Sequence, residues 1–213
     1  HLIFVSNESK NSFLKYYKEL EKKTKVINNL IDVEEIKNKS KENVSETKPK
    51  NKKLFVFVGR LDDSSKKLKR AINLVKEIKE INLWIIGDGP DRKMYEDYTK
   101  KLKLTDRITF TGKKSNPYPY MIKADYIILT SDYEGFPVTY LEALTLNKDI
   151  ITTIPTSDEL IDMKDYAHII EKDDKKMVNE VKDILKENRK KKKIDLSKYQ
   201  KKRLEELEKI FNE

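Results

Sequence analysis

The chain contains no cysteine and only two histidines, His1 and His168. Disulfides and thiolate metal sites are therefore excluded, and two imidazoles are too few for a histidine-based metal centre. His168 stands in Ala167-His168-Ile169-Ile170, the surroundings of a histidine in a strand or at a core edge. No apolar stretch approaches the roughly 20 residues a membrane-spanning helix needs. The opening His1-Leu2-Ile3-Phe4-Val5 lacks a basic lead and is too short for a secretory signal. Glycine is scarce, five in 213 residues. The nearest approach to a dinucleotide fingerprint, Gly87-Asp88-Gly89-Pro90, has Arg92 where a third glycine belongs. An Asp-x-Asp metal pair after a strand is also missing, since Asp62-Asp63 has no spacer.

Charge is abundant. Forty-six Lys and Arg against 37 Asp and Glu give a net +9. From Lys186 to Arg203 there are ten Lys/Arg against Glu187 and Asp195, so the excess is concentrated in one late segment around Arg189-Lys190-Lys191-Lys192-Lys193. Such a run is ordinarily a solvated helix end or loop. Its sharper reading is a patch for an anionic membrane surface. Tyr199 is the one aromatic there that could stack a base, so no nucleic-acid partner is expected.

Along the chain, residues 2–6 read as a strand, followed by a helix capped by Ser6 or Asn7 and running to about residue 20. Residues 25–32 read as a short strand and turn, and 38–53 as a linker of Lys, Asn, Ser, Glu, Thr and Pro. The continuous apolar run at 54–58 has the pattern of a strand buried on both faces. Leu68, Ala71, Ile72, Val75 and Ile78 then recur at helical spacing. Strands at 83–86, 108–110, 126–130, 150–152 and 169–170 alternate with helices at 90–104, 118–124, 138–146 and 175–186, and a last helix covers 197–211. This alternation predicts an α/β fold, a doubly wound parallel sheet covered on both faces. Ligands of such sheets bind beyond the carboxyl ends of the strands.

One strand end carries the most informative residues. Tyr126-Ile127-Ile128-Leu129-Thr130 leads into Glu134-Gly135-Phe136-Pro137-Val138-Thr139-Tyr140-Leu141-Glu142. Pro137 suits the first turn of the following helix. The spacing sets the second carboxylate about two turns along, on the same side as the first. A helix N-terminus offers N–H groups to a phosphate, and carboxylates accept hydrogen bonds from sugar hydroxyls.

This segment resembles the Glu-x7-Glu motif of retaining glycosyltransferases with the GT-B fold, in the large family numbered 4. The resemblance implies that Glu134 contacts the donor sugar and Glu142 the nucleotide ribose, with Gly135, Phe136, Pro137 and Val138 forming the turn between them. Gly59-Arg60-Leu61 and a lysine six residues after Arg60 resemble that family's diphosphate-binding segment. Arg60 and Lys66 would then offset the charge that grows on the leaving diphosphate. The loop Asp62-Asp63-Ser64-Ser65 is one residue longer than the family pattern, so Lys66 or Lys67 fits the position, and Lys66 is preferred because it aligns the following apolar positions. Gly87 and Gly89 would shape the turn beside the nucleotide, and Lys113, in Gly112-Lys113-Lys114-Ser115-Asn116-Pro117-Tyr118-Pro119-Tyr120, falls where the family places its nucleobase. Tyr120 reads as packing of a short helix. Thr156-Ser157-Asp158-Glu159-Leu160-Ile161 resembles a segment that caps a helix near the donor.

Asn29-Leu30-Ile31-Asp32 resembles the family's domain-closing Asn-Gly-hydrophobic-Asp, with Leu in place of Gly. Residues 1–37 are then expected to be a remnant of an N-terminal acceptor domain, 38–53 a linker, and 54–213 the nucleotide-sugar-binding domain with C-terminal helices. The resemblance implies transfer of a hexose or N-acetylhexosamine from a UDP-sugar to a polysaccharide or lipid-linked acceptor. It implies no cofactor and no metal, a cytoplasmic setting with peripheral contact at the inner membrane face, and no turnover by this chain alone. The alternative is a non-catalytic nucleotide-sugar-binding or scaffold module of the same fold.

Overall fold

The computed structural model describes residues 1–156, 160–187 and 194–212. Its first segment is a small parallel pair, β1 (Leu2–Phe4) and β2 (Thr24–Val26). Between them lie α1 (Asn7–Leu14) and a 3-10 turn over Lys18–Lys23. Ser6 is the cap of α1, its Oγ accepting from Ser9 N at 3.1 Å. The helix stops well before residue 20. It buries none of its residues, so only local propensity could prolong it, and short helices without packing are marginal.

Where the sequence pattern indicates a turn and then a linker, the chain forms α2 (Val33–Lys39). Asp32 Oδ1 accepts from Glu35 N at 2.8 Å, an N-cap. Val33 and Ile36, one turn apart, are buried in a core shared with Leu54 and Val56. The expected boundary at residue 37 thus falls inside a helix that packs on the main domain, because its apolar face finds partners there. Residues 40–52 contain no helix or strand, but they are pinned to the domain. Lys48 Nζ meets Asp125 Oδ1 at 2.8 Å, and Lys123 Nζ donates to Glu46 O at 2.8 Å.

The main sheet begins with β3 (Lys53–Val58), α3 (Lys69–Glu77), β4 (Ile81–Ile86), α4 (Arg92–Lys101) and β5 (Ile108–Gly112). It continues with α5 (Tyr118–Met121), β6 (Tyr126–Leu129), α6 (Val138–Thr145), β7 (Asp149–Thr152) and β8 (Ala167–Ile169), and ends in α7 (Asp174–Lys186) and α8 (Ser197–Phe211). The six strands run parallel in the order β5-β4-β3-β6-β7-β8. The winding reverses between β3 and β6, which makes the space beyond their carboxyl ends the switch point where such sheets take ligands.

Alternation along the strands divides the core in two. Leu54, Val56, Trp84, Ile86, Ile127 and Leu129 face one side with Tyr120, Tyr140, Leu141 and Tyr199. Phe55, Phe57, Leu83, Ile85, Tyr126 and Ile128 face the other with Leu68, Ile72, Val75, Tyr95 and Val181. The five apolar positions expected at helical spacing after β3 are all buried. Tyr120 is core, its ring 6.0 Å from that of Trp84. His168 lies in β8, its ring 6.2 Å from that of Tyr126.

The helix expected from residue 90 starts at Arg92, because Asp91 N is already bonded to Leu61 O at 3.1 Å and holds the turn. The C-terminal helix returns to the start of the domain. Gln200 Oε1 accepts from Val33 N at 3.1 Å, and Tyr199 OH donates to Asn29 O at 2.9 Å. The run Arg189-Lys190-Lys191-Lys192-Lys193 and residues Ser157, Asp158 and Glu159 lie outside the described residues.

Candidate functional site

The carboxyl ends of β3, β4 and β5 open onto a cleft of about 550 Å³ bordered by Gly59, Arg60, Gly87, Gly89, Lys113 and Pro117, among others. Its shape depends on two loops crossing at backbone distance. Gly59 N donates to Ile86 O and Leu61 N to Asp88 O, each at 3.0 Å. A Cβ on Gly87 would lie 1.8 Å from Gly59 O, and one on Gly89 would lie 2.4 Å from Leu61 O. Neither contact is possible, so both positions require glycine. Arg60 and Lys113 are exposed at the rim, and Lys114 lines the wall. Asp88 is the acid on this lining, with its Oδ2 3.2 Å from Arg92 Nη1. A cleft with such a cationic excess is suited to an anion.

At the switch point, Lys66 Nζ lies 2.6 Å from Glu134 Oε1, across 68 residues of sequence. Ser131 Oγ donates to the same oxygen at 2.5 Å. The Glu134 side chain is only 8% exposed, so its charge is met by these two donors and not by bulk water. Lys67 points elsewhere, its Nζ 3.8 Å from Asp132 Oδ2, and its backbone is left-handed at φ 49°. Of the two lysines the sequence offers, Lys66, the one chosen there, is the one that meets Glu134. Thr130 Oγ1 donates to Lys67 O at 3.1 Å and Asp132 N to Ser65 O at 2.9 Å, which ties the two loops edge to edge.

Arg70 completes this tie. Its Nη1 donates to Asp132 Oδ1 at 2.7 Å and to Thr130 O at 2.9 Å. Burial alone would lift the Asp132 carboxyl, but the Arg70 guanidinium, with the charges of Lys172 and Lys67, holds it below the usual carboxylate range. A depressed folded-state value means stability present at neutral pH and lost as pH falls through that value. Asp132→Asn is therefore expected to cost about 1 kcal/mol at pH 7, after solvent screening. That corresponds to a fall of about 2–4 °C in melting temperature. The loss should shrink as pH falls below the usual carboxylate range and through the depressed value, where the wild-type carboxylate is itself being protonated. Thermal melts of both proteins across that range check it.

Glu142 lies on α6 and faces a different neighbour. Its Oε1 accepts from Tyr118 OH at 3.1 Å. Burial raises the carboxyl above its ordinary value, with the Tyr118 hydrogen bond opposing. Burial, followed by the Glu142 charge, pushes the Tyr118 phenol up to about 12. Glu134 itself sits in the loop before the helix, so the two carboxylates meet different partners, not one shared helix face.

Within the connecting turn, Phe136 is core, 2% exposed. Its side chain cannot contact a ligand, and its carbonyl accepts from Asn29 Nδ2. Within the turn its side chain therefore serves packing under α6, and its backbone is what the turn presents. Pro137 precedes the helix with φ −63°, Val138 opens it, and no side chain among the described residues caps it; Tyr140 N bonds Pro137 O at 3.1 Å, and the two amides before it are the ones a ligand could meet. Gly135 faces the first segment, where a Cβ would meet Val5 Cγ2 at 3.5 Å and Ser9 Oγ at 3.6 Å. Sequence reasoning left out Ser131, Asp132, Arg70 and the Tyr118–Glu142 bond. Only Ser131 carried a local signal, three residues before Glu134.

Comparison with known proteins gives the family and the fold. The family model described as "Glycosyl transferases group 1" matches residues 38–203. An uncharacterized glycosyltransferase of Methanocaldococcus jannaschii is 27% identical over 158 residues, 71% of this chain and 39% of that protein. The N-acetylgalactosamine-N,N'-diacetylbacillosaminyl-diphospho-undecaprenol 4-alpha-N-acetylgalactosaminyltransferase of Campylobacter jejuni is 30% identical over 134 residues, 62% of this chain and 35% of that one. Among solved structures, Anabaena HepE in complex with UDP and glucose superposes with a TM-score of 0.69 at 18% identity, over 87% of this chain and 53% of that one. WaaG, a glycosyltransferase involved in lipopolysaccharide biosynthesis, gives 0.67 at 17%, over 87% and 54%. The chain therefore spans about half of those structures and less of the curated relatives, and its sheet is a Rossmann-like half of the GT-B fold. With the family model covering most of its length, the chain belongs to the group 1 glycosyl transferases.

Proposed function

We propose that the cleft binds the nucleoside diphosphate of a nucleotide sugar, and that the protein moves its sugar to a glycan or lipid-linked acceptor with retention of configuration. The observation that carries this reading is the 2.6 Å pairing of Lys66 with Glu134 beside the basic cleft. A nucleotide sugar needs a cation at its diphosphate and an acceptor for sugar hydroxyls next to it, and this pair supplies both. Arg60 and Lys66 would stabilise the charge that develops on the departing diphosphate. Glu142 would hold the ribose, and the stretch with Lys113 would flank the base.

The donor is read as a UDP-sugar, a hexose or N-acetylhexosamine, supported by the UDP and glucose bound to HepE. A lipid-linked or polysaccharide acceptor is supported by the Campylobacter relative and by the lipopolysaccharide 1,6-galactosyltransferase of Escherichia coli K12, 33% identical over 97 residues. Transfer is read as metal-independent, since Arg60, Lys66 and the amino end of α6 offset the diphosphate charge. The acceptor would be presented from a facing domain, so residues 1–213 alone are expected to bind nucleotide weakly without turning over. The basic run at 189–193 would lie against an anionic membrane. No described helix is long and apolar enough to cross one.

Calorimetric titration with UDP, GDP and ADP tests the reading. UDP is expected to bind saturably, and Glu142→Ala to weaken it by about tenfold, the loss of hydrogen bonds to a charged group. Preference for GDP or ADP would change the donor. Absence of nucleotide binding by both the chain and a full-length protein containing it would refute the reading.

A further inference from the structure

We propose that Tyr118 is the positioning residue that makes Glu142 selective for a ribose bearing both hydroxyls. This rests on the reading of the cleft given above and deepens it.

Glu142 receives one hydrogen bond from the described protein, that of Tyr118 OH to Oε1. Among the described residues no donor meets its Oε2. An ionised carboxylate accepts about four hydrogen bonds, and a partly buried one left short of donors is costly. The protein thus holds one oxygen and leaves the other to be satisfied from outside. A vicinal diol offers two donors at adjacent positions and fits that need, whereas a deoxyribose offers one. Tyr118 is well placed to hold the carboxylate. It opens α5 directly after Pro117, which lines the cleft, and its backbone N donates to Asn116 Oδ1 at 3.2 Å. The short helix is braced by Tyr120 in the core. The Tyr118 ring packs against that same core, so the hydroxyl has little freedom to leave Glu142.

The charged groups near this pair are few. Glu35 of α2 acts on Tyr118 and is itself paired with Lys39 at 2.5 Å. The pair therefore titrates mainly through Glu142. Nucleotide binding that uses the ionised carboxylate should be lost as pH falls through its raised value. Without the tyrosine hydroxyl, which opposes that rise, the loss should begin at higher pH.

The experiment is calorimetric titration of wild type, Tyr118→Phe, Glu142→Ala and the double variant with UDP and with 2′-deoxyuridine diphosphate, at several pH values. Thermal melts confirm that each variant is folded. Wild type is expected to prefer UDP by about tenfold. Tyr118→Phe should lose about fivefold for UDP and much less for the deoxy nucleotide, so the preference collapses, and its binding midpoint should move to higher pH. In the Glu142→Ala background the tyrosine substitution should add nothing. If Glu142→Ala weakens UDP while Tyr118→Phe keeps both the preference and the midpoint, the positioning role is overturned and the nucleotide reading stands. If wild type binds UDP and Glu142→Ala changes nothing, the positioning role falls with the ribose role of Glu142; if neither this chain nor a full-length protein containing it binds either nucleotide, the nucleotide reading falls as well.

Discussion

Gly87→Ala is expected to destabilise the protein by about 3 kcal/mol or more, at the upper end of single-substitution effects. For a domain of this size that is a fall of about 10 °C in melting temperature. The cause is geometric. Gly87 has φ 150°, a conformation L side chains rarely adopt, and its missing Cβ would fall 1.8 Å from Gly59 O. Relief would require β3 and β4 to separate where Gly59 N bonds Ile86 O and Gly87 N bonds Gly112 O, both at 3.0 Å. Three strand ends would lose their register at once, and the cleft with them. Gly135→Ala is the control. Its new methyl would meet Val5 Cγ2 at 3.5 Å, an ordinary contact, and should change stability by about 0.5 kcal/mol or less. Equal melting temperatures for wild type and Gly87→Ala would show that the loop crossing is not as close as described.

Lys66→Ala should weaken UDP binding by at least about tenfold and lower turnover of the intact transferase by about 10²–10³, the scale for loss of one group that stabilises developing charge. It should also leave Glu134, 8% exposed, with Ser131 as its remaining donor among the described residues. Lys67→Ala provides the discriminating comparison. Lys67 is next in sequence, but its Nζ faces Asp132 at 3.8 Å, and binding should stay within about twofold, the size of a screened surface pair. Calorimetry with UDP and transfer kinetics read the two effects separately. The reverse order of sensitivity would mean that donor binding rebuilds this loop and that the unliganded pairing is not the working one.

The architecture was legible because its strands are buried on both faces. Leu54 to Val58 and Tyr126 to Leu129 are apolar without alternation, a pattern few other structures produce. The helix at 33–39 was missed although Asp32 and Glu35 marked its start. Its apolar content is two residues, and only burial against Leu54 and Val56 gives them meaning. Helix limits moved where tertiary contacts intervene, as at Asp91, whose amide is taken by Leu61.

The site divides in the same way. The motif residues Glu134 and Glu142, the glycines of the crossing loops and the cation after β3 could be found in the chain, because strand ends, turn residues and spacing are local properties. Their partners could not. Lys66 and Glu134 are 68 residues apart, and Glu142 and Tyr118 are 24 apart. No periodicity brings those pairs together; the order β5-β4-β3-β6-β7-β8 does, by setting two distant loops side by side. By itself the sequence determined the parallel sheet, its two buried faces and the end at which a ligand would sit, since burial patterns and chain reversals are written residue by residue. Only the tertiary structure decided which lysine meets Glu134, that Phe136 is core and that Tyr118 holds Glu142, because a side chain's partner depends on what the fold places within about 3 Å of it.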